Sequence, residues 1–365
     1  MQLDFFPSRT LTLYLAKLFA VRIAAMLFVL VLVLMMLDLL SSSGEILAVP
    51  GNGQGELLTY AGLRIPQLIS RFLPYSVLLA TLITLVTLNQ NSEVIAMKAA
   101  GLSAHQVLAP LLLTAGIVSL VTFGFNERVV TRATATLKAW EAVDFGPIPT
   151  DSRVRTNIYL TDNGNILTAA YLAGTGDAIA MRKVTWYQRN AEGMIVEQVQ
   201  ADTARYASPG WQLEGVTRFS VQNAVTERPA TMVVGEGLTP DQIDLAKIDP
   251  DTEPFWTLTN SIAEFERAGR RTSELRAKWW HKISGPLSAF LMPLLGAVAA
   301  FGLARSGQLF VRAVIGMALG FAYFVIDNAA LAMGSFGGYP PSLAAWAPFF
   351  LFLLIGETVL IRTEE

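Results

Sequence analysis

Few side chains in this 365-residue chain could carry out chemistry. It has two histidines and no cysteine, which excludes disulfides and thiolate metal sites, and it contains no H-E-x-x-H, G-x-S-x-G or P-loop sequence. The glycine-rich run Gly51–Gly55 lacks the lysine of a P-loop and is predicted to be a flexible loop. Three carboxylates lie in apolar sequence, and of these Asp327 is deep within its run, whereas Asp38 and Glu357 are near run ends.

A carboxylate within a membrane-spanning segment is a functional candidate by default. A lone aspartate cannot relay protons far, however, and Asn328 beside Asp327 offers a structural hydrogen bond. The sequence therefore leaves a structural and a functional role open for both Asp38 and Asp327.

A short polar segment, Ser92–Gly101, interrupts the apolar sequence and carries helix signals at both ends. Ser92 suits an N-cap, Glu93 the first turn, Lys98 the last turn and Gly101 a C-terminal cap. We predict a two-turn helix over about residues 92–101, which is too short to be stable unless it packs on something. One face of this helix carries Val94, Met97 and Ala100. The helix either rests on lipid or docks, as a coupling helix, in a groove of a cytoplasmic ATPase.

Three apolar runs precede a polar middle segment and three follow it, and each is close to the roughly 20 residues that cross a bilayer as a helix. The predicted spans are Ile23–Leu40, Phe72–Ser92, Leu102–Asn126, Ile283–Ala304, Ala313–Met333 and Leu343–Ile361. Charged residues make up only 15% of the chain, against roughly 25% in soluble domains. The first run lacks a cleavage site and is predicted to be retained. A net charge of -2 argues against a nucleic-acid partner.

Lysine and arginine in the short loops predict the orientation of these spans. One side carries Arg9, Lys17, Arg22, Lys98, Arg305, Arg312 and Arg362, whereas the short connections on the other side carry only Arg64 and Arg71. Both termini and the 92–101 helix are therefore predicted to be cytoplasmic. The long middle segment then lies outside, in the periplasm of a cell with two membranes. His105 and His281 are placed on opposite sides of the membrane.

The middle segment changes, from about Asp151 to Met232, to short alternating runs separated by turn sequences, of which Thr161–Gly164 is the strongest. Strands at this spacing predict an all-β sandwich, jelly roll or barrel. It is either a folded cap or a domain whose apolar interior accepts an amphipathic ligand or a partner's strand edge. Thr257–Ala277 is predicted to be one amphipathic helix, lying on the membrane or packed on the β domain. The predicted domains are 1–128, 129–253 and 254–365.

The 3 + β domain + 3 layout and four short motifs resemble the lipopolysaccharide export permeases LptF and LptG of Gram-negative bacteria. One motif is Asn91–Gly101 followed by Leu102 and Ser103. The other three, which are more like LptG than LptF, are LTPDQIDLAKIDP at Leu238–Pro250, WHKISGP at Trp280–Pro286 and YFVIDN at Tyr323–Asn328. The resemblance covers essentially the whole chain.

This resemblance implies a fold, partners and a location. The fold is six transmembrane helices with an inserted extracytoplasmic jelly-roll domain, in a bacterial inner membrane. The chain would pair with an LptF-like permease and would bind an LptB-like ATPase dimer through the 92–101 helix and Glu93. Lipopolysaccharide would pass to LptC-like and LptA-like jelly-roll proteins. The chain would be no enzyme and would hold no cofactor, because ATP and Mg belong to the ATPase.

One departure from the family concerns the anionic groups of the lipid. LptG-like chains can carry several lysines at the outer end of span 1, whereas Met35–Ser43 contains no cation here. Other cations at the outer level would then bind phosphate or carboxylate groups, and the candidates are Arg64, Arg71, Arg128, Arg132 and Lys138. Arg128 and Arg132, four residues apart, would share a helix face. The alternative for each cation is an interfacial side chain that snorkels to water.

Apolar faces of spans 1, 2 and 5 are predicted to form the wall of a lipid cavity. The wall positions proposed are Leu30, Leu34, Leu37, Val77, Leu78, Ala322 and Val325, and a helix–helix contact is the alternative role for each. Two other functions stay open at this point. One is a lipid-modifying enzyme with Asp38 or Asp327 at its site, and the other is an envelope-sensing scaffold.

Overall fold

The computed structural model describes residues 6–142, 144–147, 155–173, 180–190, 192–221, 223–238, 248–267, 269–301 and 309–362. Its helices are α1 (Arg9–Ala48), α2 (Gln54–Gln90), α3 (Glu93–Ala99), α4 (Ala104–Phe125), a π-helical turn (Asn126–Val130), α5 (Thr131–Ala142), α6 (Phe255–Arg267), α7 (Ser273–Phe301), α8 (Leu309–Ser335) and α9 (Pro341–Arg362). Its strands are β1 (Arg155–Asp162), β2 (Asn165–Ala173), β3 (Ala180–Arg189), β4 (Ile195–Ala207), β5 (Gly210–Glu214), β6 (Thr217–Ser220), β7 (Val225–Glu227) and β8 (Thr231–Val234).

The chain divides into two compact units. The membrane unit comprises Met1–Asp38, Ile65–Val130 and Pro254–Glu365, and the β unit comprises Leu39–Arg64 and Thr131–Glu253. The β unit thus takes in Leu39–Arg64, which the predicted boundaries assigned to the first three spans.

Within the described residues, 5 helices are long and apolar enough to cross a membrane. They are Arg9–Ala48, Gln54–Gln90, Ala104–Glu141, Val314–Ser335 and Pro341–Arg362. The predicted fourth span begins within α7, which is not one of the five, and its predicted end at Ala304 is outside the described residues. The total of six spans therefore stays a prediction.

The first two helices are longer than their apolar runs. α1 has 40 residues and α2 has 37, so at about 1.5 Å per residue they reach roughly 60 and 55 Å. α1 begins at Arg9, well before the predicted span, because hydropathy marks only the apolar part of a helix. The predicted flexible loop at Gly51–Gly55 is wrong in part, since α2 already begins at Gln54.

Close helix packing forms the core of the membrane unit, to which α1, α2, α4, α7, α8 and α9 all contribute buried side chains. Two glycines of α8 show how near the helices come to one another. A Cβ atom added at Gly320 would collide with Leu78 of α2, and one added at Gly334 would collide with Ala344 of α9. Small residues allow this approach, which is the usual way that membrane helices associate.

The amphipathic segment is two helices instead of one. Gly269 has a φ of 67°, its N–H bonds to the carbonyl oxygen of Glu266 (3.0 Å), and the Arg270 N–H bonds to that of Phe265 (2.9 Å). These two bonds form a Schellman motif that ends α6. The predicted continuous helix over Thr257–Ala277 is therefore wrong, because the apolar pattern runs on through a glycine that stops the helix.

The β unit contains one antiparallel sheet of 8 strands in the order β1-β2-β3-β4-β5-β8, among the described residues. β4 is long enough to pair with β5 through Thr203–Ala207 and with β6 through Glu197–Gln200. The predicted hairpin turn is confirmed: Asn163 and Gly164, with φ of 48° and 86°, join β1 to β2. Positive φ at both loop residues is the signature of a type I′ turn.

Buried side chains on one face of this sheet form its core, which includes Trp211. Trp211 is fully buried, and its indole Nε1 donates to the Leu238 carbonyl oxygen at 2.9 Å. The Arg218 guanidinium donates two hydrogen bonds to the carboxylate of the buried Glu197, from Nε to Oε1 at 2.6 Å and from Nη2 to Oε2 at 2.7 Å. These bonds raise the pKa of Arg218.

The helical part of the β unit is held at Asn52. Its side-chain amide donates to the carbonyl oxygens of Ile46 (3.0 Å) and Phe145 (2.8 Å). The Phe145 ring packs edge-on against Tyr60 and Trp140, with centroids 6.1 and 5.4 Å away. Asn52 thus fixes the connection between α1 and α2.

Candidate functional site

The short helix α3 forms where the sequence predicts it, and its C-terminal cap is confirmed. Gly101 has a φ of 87°, its N–H bonds to the Lys98 carbonyl oxygen (2.9 Å), and the Leu102 N–H bonds to that of Met97 (3.1 Å). This is a Schellman motif. The N-terminal cap differs from the prediction. Ser92 occupies the N-cap position, but it has a φ of 59° and its side chain makes no capping hydrogen bond.

The two faces of α3 have different surroundings. Val94 and Met97 are buried in the core of the membrane unit, at 6% and 8% exposure. Ala100 is exposed, so the predicted common face of three residues is wrong at its last position. The opposite side presents Ile95, which is 62% exposed, together with the exposed Ala96, Lys98 and Ala99. Intrachain packing therefore uses Val94 and Met97, which leaves Ile95 and its neighbours for any partner.

Glu93 lies in the first turn of α3 and accepts two hydrogen bonds from within the chain. Tyr14 Oη of α1 donates to Oε2 and Asn91 Nδ2 donates to Oε1, each at 3.3 Å. Sequence reasoning missed Tyr14, because no local signal links it to a residue 79 positions later.

The start of α4 follows α3 directly and is rigidly capped. The Ser103 hydroxyl accepts from the Gln106 N–H (3.1 Å), and the Gln106 side chain accepts from the Ser103 N–H (3.0 Å), which is a capping box. In the first turn of α4, His105 Nε2 lies 3.3 Å from Glu357 Oε2 of α9. The turn after α3 is therefore tied to the last helix of the chain.

The intramembrane carboxylate Asp327 has a partner that the sequence did not reveal. Asp327 is 6% exposed, and its Oδ2 lies 3.0 Å from Nε2 of His281 in α7. Asn328 Nδ2 instead donates to the Phe324 carbonyl oxygen one turn back, at 2.8 Å. The description of Asp327 as a lone carboxylate is therefore wrong. No local sequence signal links the two residues, because they are 46 positions apart.

The five candidate headgroup cations do not have equal surroundings. Lys138 is half-buried and forms an ion pair with Asp249, with Nζ and Oδ2 2.5 Å apart. Arg64 is half-buried, whereas Arg71, Arg128 and Arg132 are exposed. Arg128 lies in the π-helical turn and Arg132 in α5. Hydrogen bonds in a π turn join residues i and i+5, so residues four apart are not placed as they are in an α-helix. The prediction that Arg128 and Arg132 share a helix face therefore does not follow here.

The proposed wall positions separate into two groups. Val77 and Leu78 of α2 are 0% and 4% exposed and belong to the core, so they make helix–helix contacts, the alternative named above. The positions that are exposed or half-buried, and so open to a lipid or a second chain, are Leu30, Leu34, Leu37, Ala322 and Val325. Asp38 is half-buried at the end of the first predicted span.

In the described part of the chain, no three His, Cys, Asp or Glu side chains are placed so that they could hold a metal ion. Apolar helices on both sides of an antiparallel β region instead define a membrane permease with an inserted β domain. The profile of the family described as "Lipopolysaccharide export system permease LptF/LptG" matches residues 13–362. The chain belongs to this family.

Two relatives show the same likeness. The "Lipopolysaccharide export system permease protein LptG" of Escherichia coli (strain K12) is 26% identical over 310 residues, which cover 83% of this chain and 84% of that protein. The protein of the same name from Haemophilus influenzae is 23% identical over 316 residues, covering 85% and 87%. The predicted resemblance, closest to LptG, is confirmed. Family membership makes the chain a multi-pass inner-membrane component of a transporter and not a catalytic enzyme.

Proposed function

We propose that this chain is the LptG-like permease subunit of an ATP-driven machine that extracts lipopolysaccharide from the inner membrane. A second, LptF-like permease completes the cavity, and an LptB-like ATPase dimer binds ATP and Mg on the cytoplasmic side. The lipid then leaves through a bridge of LptC-like and LptA-like β-jelly-roll proteins.

The geometry of α3 is the observation that carries this proposal. A seven-residue helix is not stable alone. Here Val94 and Met97 hold it in the core, and a Schellman motif and a capping box fix its connection to α4. Its outward side exposes Ile95, an apolar residue, at 62%. A rigidly held helix with an exposed apolar residue is suited to dock in a groove of a partner and to pass its movement to the permease.

The lipid path uses the outer helices of the membrane unit. Leu37 of α1 and Val325 of α8 are 59% and 51% exposed, and either acyl chains or the second permease would cover them. Arg71, Arg128 and Arg132 are exposed cations that can bind lipid phosphate or carboxylate. Lys138 is already paired with Asp249 and is a weaker candidate.

The β unit supplies the exit. The termini and α3 are cytoplasmic in this proposal, and the β unit is periplasmic. Among the described strands β1 pairs only with β2, and a strand of a partner domain would add at the other edge of β1. Strand addition at such an edge extends the sheet from one protein to the next.

Co-purification from membranes in mild detergent tests the proposal, with the bound lipid identified by mass spectrometry. We expect a second six-span chain, an ATPase and lipopolysaccharide to accompany this chain. A chain that emerges alone, or that carries another lipid and no ATPase, would contradict the proposal. That second result would favour the lipid-modifying enzyme or the envelope-sensing scaffold.

A further inference from the structure

Glu93 connects α3 to α1 through a single side chain. Tyr14 Oη donates to Glu93 Oε2 at 3.3 Å, and Asn91 holds the other oxygen, Oε1, at the same distance. A carboxylate has about four lone-pair positions. Glu93 can therefore keep both bonds while it accepts a further donor from a docked partner. Its role is consequently not limited to contact with an ATPase.

The first turns of α1 are bound firmly to the rest of the membrane unit. Leu15 and Phe19 are fully buried and Ile23 is 5% exposed. Arg22 Nη1 donates to the Ile83 carbonyl oxygen of α2 at 3.2 Å. Tyr14 lies at the same end of α1, next to these contacts.

The rest of α1 has few buried side chains. In its most apolar 18-residue window only 17% is buried, and Phe28, Met36 and Leu37 are 67%, 63% and 59% exposed. A continuous helix transmits a displacement at one end along its length. A movement of α3 that reaches Tyr14 therefore reaches the segment that is proposed to face the lipid.

We infer that Tyr14 is a positioning residue that couples displacement of α3 to α1, so that ATP-driven movement changes the cavity wall. This inference rests on the proposed function. In this arrangement Glu93 contacts both the docked partner and Tyr14 of α1. Loss of the Tyr14 hydroxyl should uncouple lipid movement from ATP hydrolysis without preventing ATPase docking.

Tyr14→Phe is the matched test, because it removes the hydroxyl donor and keeps the ring. Tyr339→Phe is the control, since Tyr339 Oη also makes one intrachain bond, to the Ala330 carbonyl oxygen at 3.0 Å, away from α3. The complete complex is reconstituted in vesicles with lipopolysaccharide. ATPase association, ATP hydrolysis and lipid released per ATP are then measured.

For Tyr14→Phe we expect ATPase association and ATP hydrolysis near the wild-type level. Lipid released per ATP should fall about two- to tenfold, which is the effect expected from the loss of one hydrogen bond. Tyr339→Phe should leave this ratio unchanged. An unchanged ratio for Tyr14→Phe would overturn the inference. So would a loss of ATPase binding, because Tyr14 would then be a docking residue.

Amide hydrogen exchange on the purified chain tests the connection without any partner. We expect Tyr14→Phe to speed exchange in α3 and in the first turns of α1, and Tyr339→Phe to leave both segments unchanged. Equal exchange in wild type and Tyr14→Phe would overturn the inference. If Tyr14→Phe exchanges faster than wild type in these segments but wild type binds no ATPase and no lipopolysaccharide, the proposed function fails while the α1–α3 connection stands.

Discussion

His281 Nε2 and Asp327 Oδ2 are 3.0 Å apart and join α7 to α8 in the core of the membrane unit. The side chain of Asp327 is 9% exposed and that of His281 is 29% exposed. A buried carboxylate without a partner is costly, and the imidazole removes most of this cost by hydrogen bonding. The pair therefore explains how an aspartate is accommodated at this depth.

Replacing Asp327 by Asn should lower the stability of the chain by about 1–3 kcal/mol, because a neutral amide makes a weaker hydrogen bond with His281 than a carboxylate does. Asn328→Ala is the neighbouring control, and we expect it to change stability by no more than about 0.5 kcal/mol, since Asn328 is exposed. Thermal unfolding in detergent measures both. If Asp327→Asn leaves the stability unchanged and Asn328→Ala lowers it, Asn328 and not Asp327 has the structural role.

Gly101→Ala should destabilise the end of α3 by about 1–2 kcal/mol, because a residue with a Cβ disfavours the φ of 87° found there. No atom lies within 4 Å of the added Cβ, so the effect is one of backbone conformation alone. Gly124→Ala, also without a neighbour within 4 Å but inside α4, should be neutral or should stabilise by up to about 1 kcal/mol. Unfolding measurements on the two variants give the comparison. Equal effects would contradict the capping role of Gly101.

Substitutions on the two sides of α3 should have opposite consequences. Ile95→Glu changes an exposed residue, so we expect normal thermal stability and at least about tenfold weaker ATPase association, since 1.4 kcal/mol corresponds to a factor of ten. Met97→Glu places a charge in the core and should lower stability by several kcal/mol. Unfolding and co-purification are measured together. Undiminished ATPase recovery with Ile95→Glu would mean that this side of α3 does not dock.

Arg128 and Arg132 should contribute to lipid binding, whereas Lys138 should contribute to stability. Arg128→Ala and Arg132→Ala remove exposed charges, so we expect less lipopolysaccharide to co-purify and stability to stay within about 0.5 kcal/mol of wild type. Lys138→Ala breaks the half-exposed pair with Asp249 and should lower stability by up to about 1 kcal/mol while bound lipid stays constant. Quantitative mass spectrometry measures the lipopolysaccharide that co-purifies with each variant. Lipid loss confined to Lys138→Ala would reverse this assignment.

Local chemistry allowed several elements to be predicted from the sequence. Asn163-Gly164 predicts a hairpin turn and Gly101 a helix end, because few residues adopt positive φ easily. Gly269 carries the same signal, but the apolar pattern continues across it and predicts a single helix. Hydropathy located the apolar runs, but it could not show that α1 begins at Arg9.

Contacts between distant residues could not be predicted from one sequence. Tyr14 and Glu93 are 79 positions apart, and His281 and Asp327 are 46 apart. Nothing in the local sequence of one residue specifies the other, because only the folding of the chain brings the two residues of each pair together. For the same reason Val77 could not be assigned to the core or to a lipid-facing wall before the neighbouring helices were placed.

Transfer of lipopolysaccharide from vesicles to a soluble jelly-roll acceptor is the decisive measurement of whether this chain is a lipopolysaccharide permease. The vesicles contain this chain, the second permease, the ATPase dimer and fluorescent lipopolysaccharide, and transfer is followed after ATP is added. We expect transfer to require ATP and to stop when either this chain or the ATPase is omitted. Transfer that proceeds at the same rate without this chain would contradict the proposed function.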